Sequence, residues 1–202
     1  MRTLTALIVL LFALPAGAQQ LTAPPITTED RADVARVEAH LNGITTMKAK
    51  FVQIGPRGEI AEGTFYLSRP GRMRFEYDPP AKILVLADGL RVIYYDKELD
   101  HENAWPIGGT PLAPLLARRI EFNPNSVIAV ARQSGSLRIT LIDPQRRDEG
   151  SLTLVFTDGP LELRQWTVLD TQGLSTVIAL SSMEINPTVD PDLFFAPERR
   201  ER

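Results

Sequence analysis

The chain has 202 residues and carries 22 Lys and Arg against 25 Asp and Glu, a formal charge of −3 with both signs interspersed along its length. That balance argues against nucleic acid or an anionic membrane surface as the main partner, since each calls for a basic patch. No cysteine is present, which excludes disulfides, thiolate metal sites and a lipidated cysteine of its own.

Residues 1–18 combine a basic start at Arg2, an apolar run from Leu4 to Leu14 and the small triplet Ala16-Gly17-Ala18. The pattern is that of a secretory signal peptide cut after Ala18, too short in its apolar part to span a membrane. No later apolar run reaches spanning length. Residues 19–202 are therefore expected to form one soluble, exported domain held together by core burial alone.

After an extended leader containing Pro24-Pro25, Thr28 is expected to cap a helix, with Glu29 and Asp30 in the first turn where they complement the helix dipole. Val34, Val37, Leu41 and Ile44 recur at helical spacing and Asn42-Gly43 closes the helix. From Met47 onward the pattern is that of strands: 47–54, 59–68, 72–78, 82–87, 90–95 and 99–105, then 127–133, 136–143, 151–157, 161–169 and 174–182. Turn residues separate them, among them Pro70-Gly71, Asp88-Gly89, Ser134-Gly135 and Gln172-Gly173. The expected fold is mostly β: a large antiparallel meander that curls into a barrel or half-barrel.

Two strands show how the sheet is used. Met73, Phe75 and Tyr77 alternate with Arg72, Arg74, Glu76 and Asp78, which predicts one apolar and one solvated face. In Ile83 to Ala87 no polar face exists, so that strand must be covered on both sides. Between the two groups of strands, Thr110 and Pro111 suit the start of a short helix over 111–118, with Leu112, Leu115 and Leu116 on one face. Its preceding Gly108-Gly109 pair suits a hinge, and the helix a lid.

Chemistry-bearing patterns are sparse. The chain has two histidines; period-two geometry sends His101 to the face opposite Asp100 and Glu102, and Asp96, Glu98 and Asp100 lack calcium-loop spacing. No nucleophile elbow, phosphate loop or zinc-protease motif occurs, and neither cofactor nor metal is expected. Apolar inward positions, by contrast, are plentiful, as in Leu137/Ile139/Leu141, Leu152/Leu154/Phe156 and Thr176/Ile178/Leu180. With two short helices as cover, such a sheet predicts a hydrophobic cavity, with Met73, Phe75, Tyr77, Val85, Leu112, Leu115, Leu116 and Trp166 as candidate walls. Trp166 is expected to share its face with Arg164 and Val168. Arg69, before Pro70 at a strand end, is either solvated or aimed at the lid helix, where its five donors would hold unpaired helix carbonyls.

In MKAKFVQ, GTFYLSRPGRMRFEYDPP, ILVLADGLRVIYYDKELD, TPLAPLLAR, GSLTLVFTDGPLELRQWTVLDTQGLSTVIAL and the closing Phe194-Phe195 before Pro197, taken in order, the chain resembles the periplasmic lipoprotein carrier family, LolA, over nearly all of residues 19–202. The resemblance implies an incomplete antiparallel barrel with helices as a lid over a hydrophobic cavity. It further implies a monomeric periplasmic carrier that takes acylated lipoproteins from an ATP-driven release complex of the inner membrane to an acceptor protein or membrane on the outer side. By the same resemblance Arg69 is the arginine that bonds to the lid in the closed form. Phe75 stands where many members have Trp, and a glutamine common after the Tyr-Asp-x-x-Leu element is replaced near Asp100-His101. Two other readings stay open: a sensor or protein-interaction module on the same half-barrel, as the resemblance also allows, and a lipid hydrolase using Asp96 or Asp100 with His101.

Overall fold

The computed structural model describes residues 25–196; the signal-peptide assignment, most of the leader and the basic tail lie outside them. Helix α1 (Thr28–Asn42) leads into strands β1 (Thr46–Ile54), β2 (Ile60–Ser68), β3 (Arg72–Tyr77), β4 (Ile83–Asp88), β5 (Arg91–Asp96) and β6 (His101–Pro106). A 3₁₀ turn (Ile107–Gly109) and the short helix α2 (Ala113–Leu116) interrupt the strands, which resume as β7 (Val127–Gln133), β8 (Ser136–Leu141), β9 (Ser151–Asp158), β10 (Leu161–Leu169) and β11 (Ser175–Ile185). A second 3₁₀ turn, Pro191–Phe194, follows.

All eleven strands form one sheet in the order β6-β5-β4-β3-β2-β1-β11-β10-β9-β8-β7. Each neighbouring pair is antiparallel, and β1 and β11 join the two meanders at the centre. The barrel is incomplete, with β6 and β7 as its edges. The expected strands are all present, displaced at their ends by up to three residues, the most at the end of β11.

One face carries the main core. Residues of every strand but β6 point into it, including Met47, Ala49, Phe51, Phe65, Met73, Phe75, Leu137, Ile139, Leu154, Phe156, Trp166 and Ile178, and α1 adds Val34, Val37 and Leu41. The apolar strand β4 is indeed two-faced: Val85 and Ala87 join this core, while Leu84 and Leu86 pack with Ile93 and Tyr95 on the other side. The turn Pro191–Phe194 lies over β3 and β4, burying Phe194 to 1% exposure.

Four local expectations are corrected. Thr27, not Thr28, caps α1: its hydroxyl accepts from Asp30 N–H while the Asp30 carboxylate accepts from Thr27 N–H, a capping box that needs an acceptor three residues on and finds Arg31 if counted from Thr28. Helix α2 covers 113–116 rather than 111–118, because the Thr110 hydroxyl closes the preceding turn on Ile107 O and caps nothing. Arg74 is 5% exposed rather than solvated, because the C-terminal turn covers its face and accepts its Nη1 bond at Leu193 O. Finally, the β9–β10 register shifts between Leu163 and Gln165, a bulge that turns Arg164 outward and leaves Leu163 and Trp166 both facing the core.

Candidate functional site

At one end of the concave face, the two helices meet the sheet around an apolar cavity of about 40 Å³. Leu67, Met73, Phe65 and Met47 line it from the first meander, Leu163, Trp166 and Leu180 from the second, Leu41 and Ile44 from the end of α1, and Leu112, Leu115 and Leu116 from α2 and the residue before it. The volume admits a few water molecules at most and falls far short of an ordinary ligand pocket. The interior is thus nearly filled by the side chains of its cover.

Arg69 forms part of this wall. Its Nε donates to Ile44 O at 2.8 Å and its Nη2 to Leu41 O at 2.5 Å and to Ile44 O. Leu41 O belongs to the last turn of α1, where it also accepts from Ile44 N–H, and Ile44 O lies two residues past the helix end; a cation there complements the helix dipole. Burial pushes the guanidinium below its usual pKa, and Nη1 is buried without a hydrogen-bond partner. Arg69 therefore fastens α1, not the inserted helix α2. The same turn holds α2 by its backbone, through Gly71 N–H to Leu116 O at 2.8 Å. Gly71 has φ +78, and a Cβ there would meet Gly89 Cα at 2.8 Å, so the turn that clasps both helices requires glycine.

Three further residues, silent in the sequence reading, complete the fastening of α1. Asn42 exchanges two bonds with Ile120 (2.8 and 2.9 Å), Glu38 accepts from Phe122 N–H at 2.5 Å, and Asn186 accepts from Thr45 N–H at 2.8 Å while donating to Gly43 O at 2.9 Å. Their partners lie 78 to 143 residues away, so no local pattern marks them. At the other end of α1, Arg132 of β7 pairs with Asp30 at 2.8 Å and Asp33 at 2.6 Å, and Arg36 with Asp158 of β9 at 2.8 Å. Hydrogen bonds from Thr27, first its backbone and then its side chain, together with Arg132, hold the Asp30 carboxyl down to about 2.

The predicted walls separate into two groups. Met73, Leu112, Leu115, Leu116 and Trp166 meet around the cavity with Arg69. Phe75, Tyr77 and Val85 belong to the same core but lie outside the cavity lining. Phe75 packs against Phe65 with centroids 4.7 Å apart and against Trp166 at 6.1 Å, and Phe51 stands edge-on to Phe75 and Tyr77. The Tyr77 hydroxyl donates to Gln53 Oε1 at 2.6 Å, and burial pushes its pKa up to about 12.

His101 is exposed at the start of the edge strand β6 opposite Asp96, and Asp100 accepts a hydrogen bond from Tyr95; among the described residues no group of three or more His, Asp or Glu is placed to hold a metal. A cleft of about 340 Å³ lies on the far side of α2, lined by Gly108, Pro111 and Pro114 opposite Leu141, Asp143 and Arg146. Arg146 is satisfied there by Asp143, Glu149 and Gly108 O.

Residues 42–196 match the family model "Outer membrane lipoprotein carrier protein LolA". An outer-membrane lipoprotein carrier protein of Chromohalobacter salexigens is 31% identical, over 91% of this chain and 90% of its own. The corresponding protein of Xylella fastidiosa is 31% identical over 88% of each chain, and that of Methylococcus capsulatus 28% identical over 81% and 83%. The chain belongs to the outer-membrane lipoprotein carrier family.

Proposed function

We propose that this protein is a periplasmic carrier that shields the acyl chains of lipoproteins between an inner-membrane, ATP-driven release complex and an acceptor protein or membrane on the outer side. The observation that carries this reading, beside family membership, is an apolar concave face closed by α1 and α2, whose shared cavity is lined by apolar side chains and one arginine. Such a face offers burial without chemistry, which suits a carrier better than a catalyst.

Closure and loading are in competition. Arg69 holds α1 through charged-to-neutral hydrogen bonds, worth on the order of 1.5–3 kcal/mol. Each acyl CH₂ removed from water contributes about 0.8 kcal/mol, so a long acyl chain outweighs the latch, with a smaller return where it takes the place of lid side chains that already fill the cavity. Energy for loading comes from the donor, and delivery runs downhill to the acceptor.

The test is to recover the protein from the periplasm, offer it a fluorescent acyl probe and an acylated lipoprotein, and identify bound lipid by mass spectrometry. Saturable binding that disappears with a deacylated lipoprotein is expected. Binding that ignores acylation, or none at all, overturns the carrier reading.

A further inference from the structure

We propose that acyl chains enter and leave the concave face laterally, across the β6 edge, with Trp105 as the lip of the portal. This rests on the carrier reading and adds to it a route and a residue.

Directly opposed residues of an antiparallel pair share a face, so the register of β2 to β6 defines a row: Leu67 opposite Met73, Met73 opposite Ala87, Ala87 opposite Val92, Val92 opposite Trp105. At its inner end Leu67 and Met73 line the cavity. Ala87 and Val92, 0% and 8% exposed, continue it within the same core. At its outer end Trp105 is 50% exposed on a strand whose six residues are all exposed. Four strand spacings make this track about 19 Å long, apolar throughout and suited to an extended acyl chain. The next row ends in Tyr94 and Asn103, which brings polar side chains to the mouth, where the head of the cargo would remain.

The two edges of the sheet differ in how they are closed. At β7 the ion pairs of Arg132 with Asp30 and Asp33 tie α1 down. At β6 no ion pair among the described residues joins strand to helix; residues 107–116 are held by Ile107 N–H on Leu90 O, Gly71 N–H on Leu116 O and Arg146 on Gly108 O, and the connection is anchored to α1 only beyond them, where Asn42 bonds Ile120 and Glu38 accepts from Phe122 N–H. Leu112 and Leu115, which share the cavity with Leu67 and Met73, belong to this lightly tied segment. Lifting it opens the row from the side while α1 stays fastened.

The chain has two tryptophans, one at each end of the route. Single-tryptophan variants Trp166→Phe and Trp105→Phe are titrated with palmitate brominated either beside the carboxylate or near the methyl end, bromine quenching only the indole it touches. The portal predicts that carboxylate-end bromine quenches Trp105 and methyl-end bromine quenches Trp166, and that Trp105→Ala slows palmitate uptake several-fold with an unchanged melting temperature. Bound palmitate that leaves Trp105 emission unchanged, or the reverse pattern, overturns the portal and spares the carrier reading. Absence of saturable palmitate and lipoprotein binding removes both. Trp105 emission that shifts with protein concentration and no lipid identifies the edge as a contact between copies, and also overturns the portal.

Discussion

At the residue scale, Arg69 acts through geometry that no neutral side chain reproduces. Its fork reaches Leu41 O and Ile44 O together, and Leu in its place removes the charged donors that tie the end of α1 to the sheet, leaving Leu41 O only backbone donors such as Ile44 N–H. Arg69→Leu is expected to lower stability by about 2–3 kcal/mol in urea unfolding and to retain bound acyl probe longer against acceptor vesicles. Release at the wild-type rate would reduce Arg69 to a structural cap. Gly71→Ala is expected to destabilise by about 1–2 kcal/mol or more, since the Cβ meets the Gly89 backbone and the φ of +78 stays strained; an unchanged denaturation midpoint contradicts the clasp. Arg69 is marked in the sequence by its place before Pro70, whereas nothing local marks Asn42, Glu38 and Asn186, because a hydrogen bond spanning 78 to 143 residues leaves no local spacing to read.

At the element scale, α1 responds to acid in two steps with the same sign. His40, edge-on to Phe156 at 6.4 Å, has its pKa pushed below the ordinary 6.5 by burial, with Glu162 opposing. Asp30 lies near 2 against an ordinary 3.8. Both folded-state values are depressed, so each group contributes stability that is full above its unfolded pKa and is lost as pH falls toward its folded one. Melting temperature is expected to decline first just below pH 6.5 and again between 3.8 and about 2. His40→Gln should flatten the first step alone, and Asp30→Ala should shrink the second, to which the lowered carboxyls of Asp88 and Asp143 also contribute, while costing about 1 kcal/mol at neutral pH. A pH profile identical in all three proteins would show that α1 does not report on either group. The existence of α1 was legible from Val34, Val37 and Leu41; its capping residue was displaced by one because Thr27 and Thr28 differ only in what lies three positions later.

At the scale of the whole molecule, a closed interior with a cavity of about 40 Å³ makes ligand binding and lid displacement one equilibrium. Ligand that binds the folded protein alone stabilises it by about 2.7 kcal/mol at one hundred times Kd. Palmitate should therefore raise the melting temperature, and the rise should be larger in Arg69→Leu if the latch opposes loading. An equal rise in both proteins would mean that the Arg69 contact stays intact in the loaded state.

Period-two alternation and turn chemistry determined, from the sequence alone, that eleven strands form and, outside the β10 bulge, which apolar sets face one way; the two-sided apolar strand at Ile83 to Ala87 even announced a second covering layer. Those are local properties, written in neighbouring residues. Which strands stand at the edges, which carbonyls Arg69 finds, and that Phe75, Tyr77 and Val85 fall outside the cavity while Leu67 and Leu180 line it depend on β1 pairing with β11 and on two helices folding back across the sheet. Arg74 shows the limit most plainly: alternation places it outward correctly, and only the C-terminal turn, arriving 119 residues later to accept its bond at Leu193, makes that outward position a buried one.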